Sequence, residues 1–340
     1  MEPTTKNTMN KKPMKRILLT MLSVYFLSLG ICFWISYQII AAEAHVRYTG
    51  MVNIAAGKIA NTIKGMERSA NNVFDEVAKQ MDSPEAVINA LRSKSTLNAE
   101  VRGYFAAFEP NYFPKMGRWF EPYVHQADST GEYTVRQVGS ARHNYFKSDW
   151  YVRAKQMKHS LWSEPYYYYD GTSISGHYTT FVKPVYDAKG NLACICGADM
   201  TFEWLAKELE QLDAMNKKNV MLNKYRMLRN LDFYTVILDH DGTCIASPEG
   251  KKASTSDEEV ISDLTEGKYG IADMMINDEP CTVYYGPIEH IDWSVAIVVP
   301  QYDIMNPLLM VGGVLLSIAV IGLLIILLVY RKMMRYAQPV

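Results

Sequence analysis

At 340 residues, with 49% hydrophobic residues and a formal net charge of −1, the chain has room for two globular domains or for one domain plus membrane spans. That charge balance gives no overall field for nucleic acid, which is not an expected partner. The five cysteines form no CxxC pair and no metal-ligand spacing with the seven histidines, which argues against a structural zinc site; no metal or cofactor is expected.

The chain opens with a basic segment, 1–16, ending in Lys11, Lys12, Lys15 and Arg16. Ile17 to Ile40 then carries no charge over 24 residues, enough for a helix across a bilayer core of roughly 30 Å. The run is too long for the apolar part of a signal peptide and reads as an uncleaved anchor. Ala42-Glu43-Ala44 resembles a small-residue cleavage site, which leaves a cleaved leader as the alternative.

Residues 43–82 predict one long helix continuing that span. Val52, Ala55, Ile59, Ile63, Met66, Ala70, Val73, Val77 and Met81 recur at spacings of three and four and form one apolar stripe. The stripe suits packing on the chain's own sheets, or on a partner helix in a parallel homodimer, and along so long a helix both can hold. Ser83-Pro84-Glu85 predicts a second helix, with serine as N-cap and proline in the first turn.

Strands follow. Val101 to Pro110 alternates, and a polar stretch leads to a second strand, Glu132 to Gly139. His177 to Asp187 and Asn191 to Met200 flank the short turn Ala188-Lys189-Gly190 and predict a hairpin. Pro184 in the first of these marks an edge or a bulge. Cys194 and Cys196 share one face of the second. Thr201 is placed to cap a helix starting at Phe202. Further on, Phe233 to Asp239 and Thr243 to Ala246 pair through the turn His240-Asp241-Gly242, and Cys281 to Ile288 pairs with Trp293 to Pro300. A disulfide between Cys244 and Cys281 is left open. The expected fold is therefore α+β: a long helix and two antiparallel-sheet modules, 83–215 and 216–306.

The second apolar run, Pro307 to Tyr330, again has 24 residues and no charge, and Arg331, Lys332 and Arg335 follow it. Positive charge on the outer flank of both runs places both termini inside and residues 43–306 outside.

Asp149-Trp150-Tyr151-Val152-Arg153-Ala154, Trp162-Ser163-Glu164-Pro165-Tyr166, the hairpin from Pro184 to Asp199, Leu238 to Gly242 and Trp293 to Pro300 occur in an order that resembles the double Cache family of bacterial extracytoplasmic sensors. The resemblance implies two PAS-like modules, one distal and one proximal to an inner (plasma) membrane, and a receptor function in chemotaxis or two-component signalling. It also implies a small-molecule ligand in the distal module. Arg331 to Arg335 with Pro339 resembles the start of a HAMP linker (331–340), which implies a cytoplasmic output module outside this chain. An amino-acid-binding member holds the ammonium with an aspartate, matched here by Asp199, and the carboxylate with an arginine two residues before the tryptophan. Trp150, Tyr151 and Tyr166 match the family's aromatic residues, and Tyr168 or Asp170 the polar residue that follows. Ser148 stands where the arginine would be, with Arg142 and Arg136 as substitutes, so an amine without an α-carboxylate fits as well as an amino acid.

Each of these residues has a plainer reading. Asp199 precedes a helix and can serve as its cap, and Trp150 and Tyr151 can be core. Of the run Tyr166 to Tyr169, at most half can face one side of a strand. HExxH, GxSxG, P-loop and dinucleotide signatures are absent from the sequence, so the chain is not expected to be an enzyme. A protein-binding ectodomain is the alternative function.

Overall fold

The computed structural model describes residues 11–93, 95, 98, 100–126, 132–169, 174–222 and 231–336. A single helix, α1 (Lys11–Lys79), runs 69 residues and is about 100 Å long at 1.5 Å per residue. It contains the first apolar run. The second run lies in the closing helix α6 (Gln301–Tyr336). Both helices are long and apolar enough to cross a membrane. They pack side by side: the Tyr25 hydroxyl donates to the Ile318 carbonyl at 2.6 Å, and its ring lies over Gly322, where a Cβ would collide with it.

Between them lie two antiparallel sheets. Helix α2 (Pro84–Ser93) begins as expected, with the Ala86 N–H donating to Ser83 Oγ. The first sheet contains β1 (Gly103–Phe108), β2 (Pro122–Gln126), β3 (Tyr133–Gln137), β4 (Leu161–Trp162), β5 (Tyr166–Tyr168), β6 (Gly176–Tyr186) and β7 (Leu192–Thr201). Its order is β3-β2-β1-β7-β6-β4, with β5 also on the edge of β6. Helix α3 (Asp149–Met157) crosses one face. Helix α4 (Phe202–Leu222) leaves from β7, and the Trp204 N–H donates to Thr201 Oγ1, the expected cap. The second sheet holds β8 (Tyr234–Asp239), β9 (Cys244–Ala246), β10 (Gly270–Ile276), β11 (Glu279–Pro287) and β12 (Trp293–Pro300), in the order β10-β11-β12-β8-β9. Helix α5 (Glu258–Thr265) precedes β10, its N-cap Asp257 accepting from the N–H groups of Glu259 and Val260.

The stripe on α1 is buried from Val52 to Val77. Its upper part packs with α2, α4 and one face of the first sheet, and the same core takes in Ile237, Ile288, Trp293 and Val295 of the second. Its lower part, at Tyr48, Met51 and Val52, packs on Phe233, Tyr284 and Ile297. Charged positions tie the helix to α4 and to both sheet modules as well: Lys58 pairs with Glu208 of α4, Lys64 with Glu289 at 3.1 Å, and Asp75 with Lys183 at 3.0 Å. The stripe is thus accounted for within one chain.

Several expectations change. β1 is buried at every position and does not alternate between core and solvent, because α1 covers one face of the sheet and α3 the other. Residues 145–157, given no element from the sequence, are a 3-10 turn followed by helix α3. β2, β4, β10 and α5 were not anticipated. Pro184 fits: β4 and β5 reach only Val182 on that side, and the register shifts at Val185. Cys244 and Cys281 are free thiols, on strands separated by β12 and β8, too far apart to bond. The Cys194 and Cys196 sulfurs lie 3.8 Å apart on one buried face, as expected from a two-residue spacing.

Candidate ligand-binding site

Strand alternation decides which side chains meet beneath α3. On the α1 side stand Tyr104, Ala106 and Phe108 of β1 and Cys194, Cys196 and Ala198 of β7. Opposite stand Phe105 of β1, Tyr123 of β2 and Ile195 of β7, packed with Trp150 and Tyr151 of α3. On this second face a small chamber, about 40 Å³, is lined by Phe105, Glu121, Tyr123, Val138, His143, Trp150, Tyr166, Tyr168, Ile174, Tyr178 and Asp199. That is space for an ammonium head or a few waters. Val138, His143, Trp150, Tyr166 and Tyr168 also line a larger outer cleft of about 1170 Å³.

Two glycines make room for the rings of Phe105 and Tyr123 that line the chamber. A Cβ on Gly197 would overlap the Phe105 ring, and one on Gly103 would overlap the Tyr123 ring, so both rings lie flat across strands that lack side chains there. Gly197→Ala should drive Phe105 upward and cost about 1–3 kcal/mol, the usual range for overpacking; denaturant unfolding of the full chain measures this.

Asp199 sits opposite Thr180 in the β6–β7 register and is 7% exposed. Thr180 Oγ1 donates to Asp199 Oδ1 at 2.6 Å, and the Tyr166 hydroxyl lies 2.7 Å from Thr180 Oγ1. A hydroxyl has one proton, so Thr180 gives its own to Asp199 and receives one from Tyr166. Burial pushes the Asp199 carboxyl up to about 6, while the hydroxyls of Thr180, Tyr123 and Tyr166 oppose that rise. The Tyr123 hydroxyl is buried with no partner in hydrogen-bond geometry. Among the described residues, no lysine or arginine lines the chamber.

Glu121 is the second carboxyl of the chamber and is 3% exposed. Burial first, then the charge of Asp199, holds it well above the ordinary carboxylate range. Its Oε2 pairs with His143 Nε2 at 3.5 Å and, among the described residues, receives no hydrogen bond. Sequence reasoning missed it, since β2 was read as a polar stretch. The alternation of Glu121, Tyr123 and His125 around the apolar Val124 is the only signal there.

Of the expected site residues, the structure brings Trp150, Tyr166, Tyr168 and Asp199 to one chamber. Tyr151 does not line that chamber: neighbours on a helix point about 100° apart, so it does not share the direction of Trp150. Its hydroxyl donates to Glu109 Oε1 at 2.7 Å, and its ring packs on Tyr145 and Phe146. Asp170 lies outside the described residues. Asp199 does not cap α4, a task that falls to Thr201. Within the tyrosine run, Tyr166 and Tyr168 line the chamber, while Tyr167 and Tyr169 stack on each other outside it, both exposed. Ser148, Arg136 and Arg142 line the outer cleft. Elsewhere, ligand atoms of Glu164, Asp239 and His240 lie within 4.8 Å of one another. All three are already engaged, Glu164 with Arg153 at 3.0 Å and Asp239 with His240 at 2.8 Å.

The family model for the Cache domain matches residues 36–308. No curated protein matches the chain. Among solved structures, the periplasmic sensory domain of the Campylobacter jejuni chemoreceptor Tlp1 is similar at a TM-score of 0.60 and 13% identity, covering 79% of this chain and 99% of that one. An extracellular domain assigned to a histidine kinase, soHK1S-Z6, gives 0.58 at 17% identity, covering 80% and 99%. The ligand-binding domain of the Pseudomonas fluorescens chemoreceptor CtaA in complex with L-isoleucine gives 0.53 at 15% identity, covering 80% and 98%. At such identities the likeness is one of fold.

Proposed function

The chain belongs to the Cache domain family, and from that premise we propose that it is a membrane-anchored extracytoplasmic sensor whose chamber takes the cationic head of a small amine or amino acid at Asp199. The observation that carries this reading is a buried carboxylate in an aromatic chamber whose described lining residues include no lysine or arginine. An ammonium group there gains a charge-assisted hydrogen bond. It also gains attraction from the faces of Phe105, Trp150 and Tyr166, roughly 0.5–2 kcal/mol per contact. CtaA, which holds L-isoleucine, supports an amino-acid ligand. The departure at Ser148 supports a plain amine, since an α-carboxylate would have to reach Arg136 or Arg142 in the outer cleft.

The two apolar helices anchor the chain in the inner or plasma membrane, with both termini in the cytoplasm and residues 43–306 outside. Residues 83–215 then form the membrane-distal module and 216–306 the proximal one. The chain acts by binding and relays the event to a cytoplasmic output module through α6. Ligand shifts this equilibrium by its difference in affinity between the two states and by no more.

The test is a thermal-shift screen of the full chain in lipid nanodiscs against amines, amino acids, carboxylates and purines. Ligand at 100 times its dissociation constant adds about 2.7 kcal/mol. Hits confined to ammonium-bearing compounds, and lost in Asp199→Ala, are expected. Hits confined to carboxylates or purines would overturn the assignment, and no hits at all would favour a protein ligand.

A further inference from the structure

Strand pairing carries the end of Tyr123 to Asp199. In the antiparallel register Gly103 of β1 is the partner of Asp199 on β7, so the two positions share a face and lie about 5 Å apart. Tyr123 stands on β2, two places from His125, the partner of Gly103 on that side. Its ring leans over Gly103, and its hydroxyl lies 2.6 Å from where a Cβ on that glycine would stand. The missing side chain in the strand between them is what lets Tyr123 reach the carboxyl. Phe105 and His125 pack on the ring, at 6.5 and 5.3 Å between centroids, and hold it there.

The hydroxyl so placed is buried and, among the described residues, meets no partner in hydrogen-bond geometry. Burial first, then the charge of Asp199, holds its proton well above the ordinary tyrosine range, so it stays a neutral hydroxyl with lone pairs to offer. The neighbouring hydroxyls are already committed, Tyr166 to Thr180 and Thr180 to Asp199 Oδ1. A buried hydroxyl without a partner costs stability, and phenylalanine would fill the same space without that cost. An N–H group brought into the chamber removes it.

Resting on the reading of Asp199 as the ammonium site, we infer that Tyr123 is a specificity-determining residue whose hydroxyl oxygen accepts a second N–H of the ammonium, which selects primary amines over N-methylated ones. A primary ammonium has three N–H groups, enough for the carboxylate and for Tyr123. A tertiary one has a single N–H, which the carboxylate takes. It keeps its charge and its attraction to the ring faces, but leaves the Tyr123 oxygen unpaired.

The experiment titrates the full chain in nanodiscs calorimetrically with 1-aminobutane, 2-aminopropane and trimethylamine, for wild type, Tyr123→Phe and Asp199→Asn. The last two amines are isomers, both cations near neutral pH, with three N–H groups and one, so their comparison separates N–H count from bulk. Wild type should bind 2-aminopropane at least about tenfold more tightly than trimethylamine, the equivalent of about 1.4 kcal/mol. Tyr123→Phe should weaken 2-aminopropane by about that factor and leave trimethylamine nearly unchanged. Its empty form should melt no lower than wild type, because no hydrogen bond is lost, which a structural role for the hydroxyl would not allow. Asp199→Asn should lose all three amines. Equal affinity for the two isomers in wild type, or rejection of both while 1-aminobutane binds, would overturn the role of Tyr123 and leave the sensor reading standing. An unchanged ratio in Tyr123→Phe would do the same. If 1-aminobutane itself does not bind, the ammonium reading of Asp199 falls and this inference with it. The wild-type comparison of the isomers is decisive even if Tyr123→Phe does not fold.

Discussion

Asp199→Asn is expected to make the empty protein more stable while abolishing its response to amines. The wild-type carboxyl is raised from its ordinary 3.8 to about 6, chiefly by burial. Keeping it ionised at pH 7 in the folded state therefore costs roughly 3 kcal/mol relative to the unfolded chain. Asparagine has the same shape and can still accept from Thr180 Oγ1, so the variant removes the cost and keeps the hydrogen bond. A gain of about 1–3 kcal/mol is expected, and a domain of this size melts about 2–4 °C higher for each kcal/mol.

The pH dependence follows from the same raised carboxyl. A group that binds its proton more tightly folded than unfolded contributes stability that is complete below about pH 4 and disappears as pH rises through about 6. The empty wild type should lose stability across that window. Asp199→Asn should show a shallower decline, not a flat one, because Glu121 is raised in the same direction. Amine affinity should run the opposite way, strengthening from pH 5 to pH 7 as Asp199 ionises. Thermal melts of both proteins from pH 4 to 8, with and without 1-aminobutane, measure all of this. A lower melting temperature for the empty variant would mean that Asp199 is ionised for structural reasons, and the site assignment would fail.

Asp303→Ala should break the joint between the second sheet and the closing helix. β12 ends at Pro300 and α6 starts at Gln301, with no linker between them. Asp303, in the first turn of α6 and 3% exposed, accepts through Oδ2 from the N–H groups of Asp232 and Phe233, at 2.8 and 3.0 Å. Those two residues lead into β8, the neighbour of β12. Tyr302 adds a hydroxyl donated to Asp232 Oδ2 at 2.7 Å. The head of the helix is thus bolted to two adjacent strands, and a shift of the sheet must carry the helix with it. Alanine leaves the two N–H groups without an acceptor, at about 1–3 kcal/mol each. A loss of about 2–4 kcal/mol is expected, whereas Asp303→Asn, which retains an acceptor oxygen, should keep most of the stability.

The functional consequence separates this residue from an ordinary structural one. Cysteine pairs placed between α1 and α6 in the bilayer-facing region report relative movement by their crosslinking rate. In an otherwise wild-type background, amine binding should change that rate. In Asp303→Ala the amine should still bind, and the change in rate should vanish. An unchanged rate response in Asp303→Ala would exclude this joint from the relay.

Much of the architecture was legible because it depends on local periodicity. Two uncharged runs are defined by length alone. The stripe from Val52 to Val77 repeats with the helix and remains on one face however the chain folds. Thr201 and Ser83 cap the helices that follow them through contacts three residues away. The site was legible only in part. Asp199, Trp150, Tyr166 and Tyr168 came from an ordered resemblance over the whole outer region, which needs no knowledge of pairing. Tyr151 lies away from the chamber because Asp149 opens a helix on which adjacent residues diverge.

By itself the sequence determined the two apolar helices and the α+β class and singled out Asp199, which the structure buries in the chamber, since each is set by interactions within a few residues or by matching order. The tertiary structure alone decided that Glu121 shares a chamber with Asp199. The alternation around Val124 marks a strand but not which of its faces is closed off from water. Its burial follows from the pairing of β2 with β1 and the closure of α3 over that face, contacts between segments far apart in the chain. The same holds for Asp303, whose two donors lie about 70 residues earlier. Long-range pairing brings such groups out of water together, and burial together is what makes their charge useful for binding or for coupling.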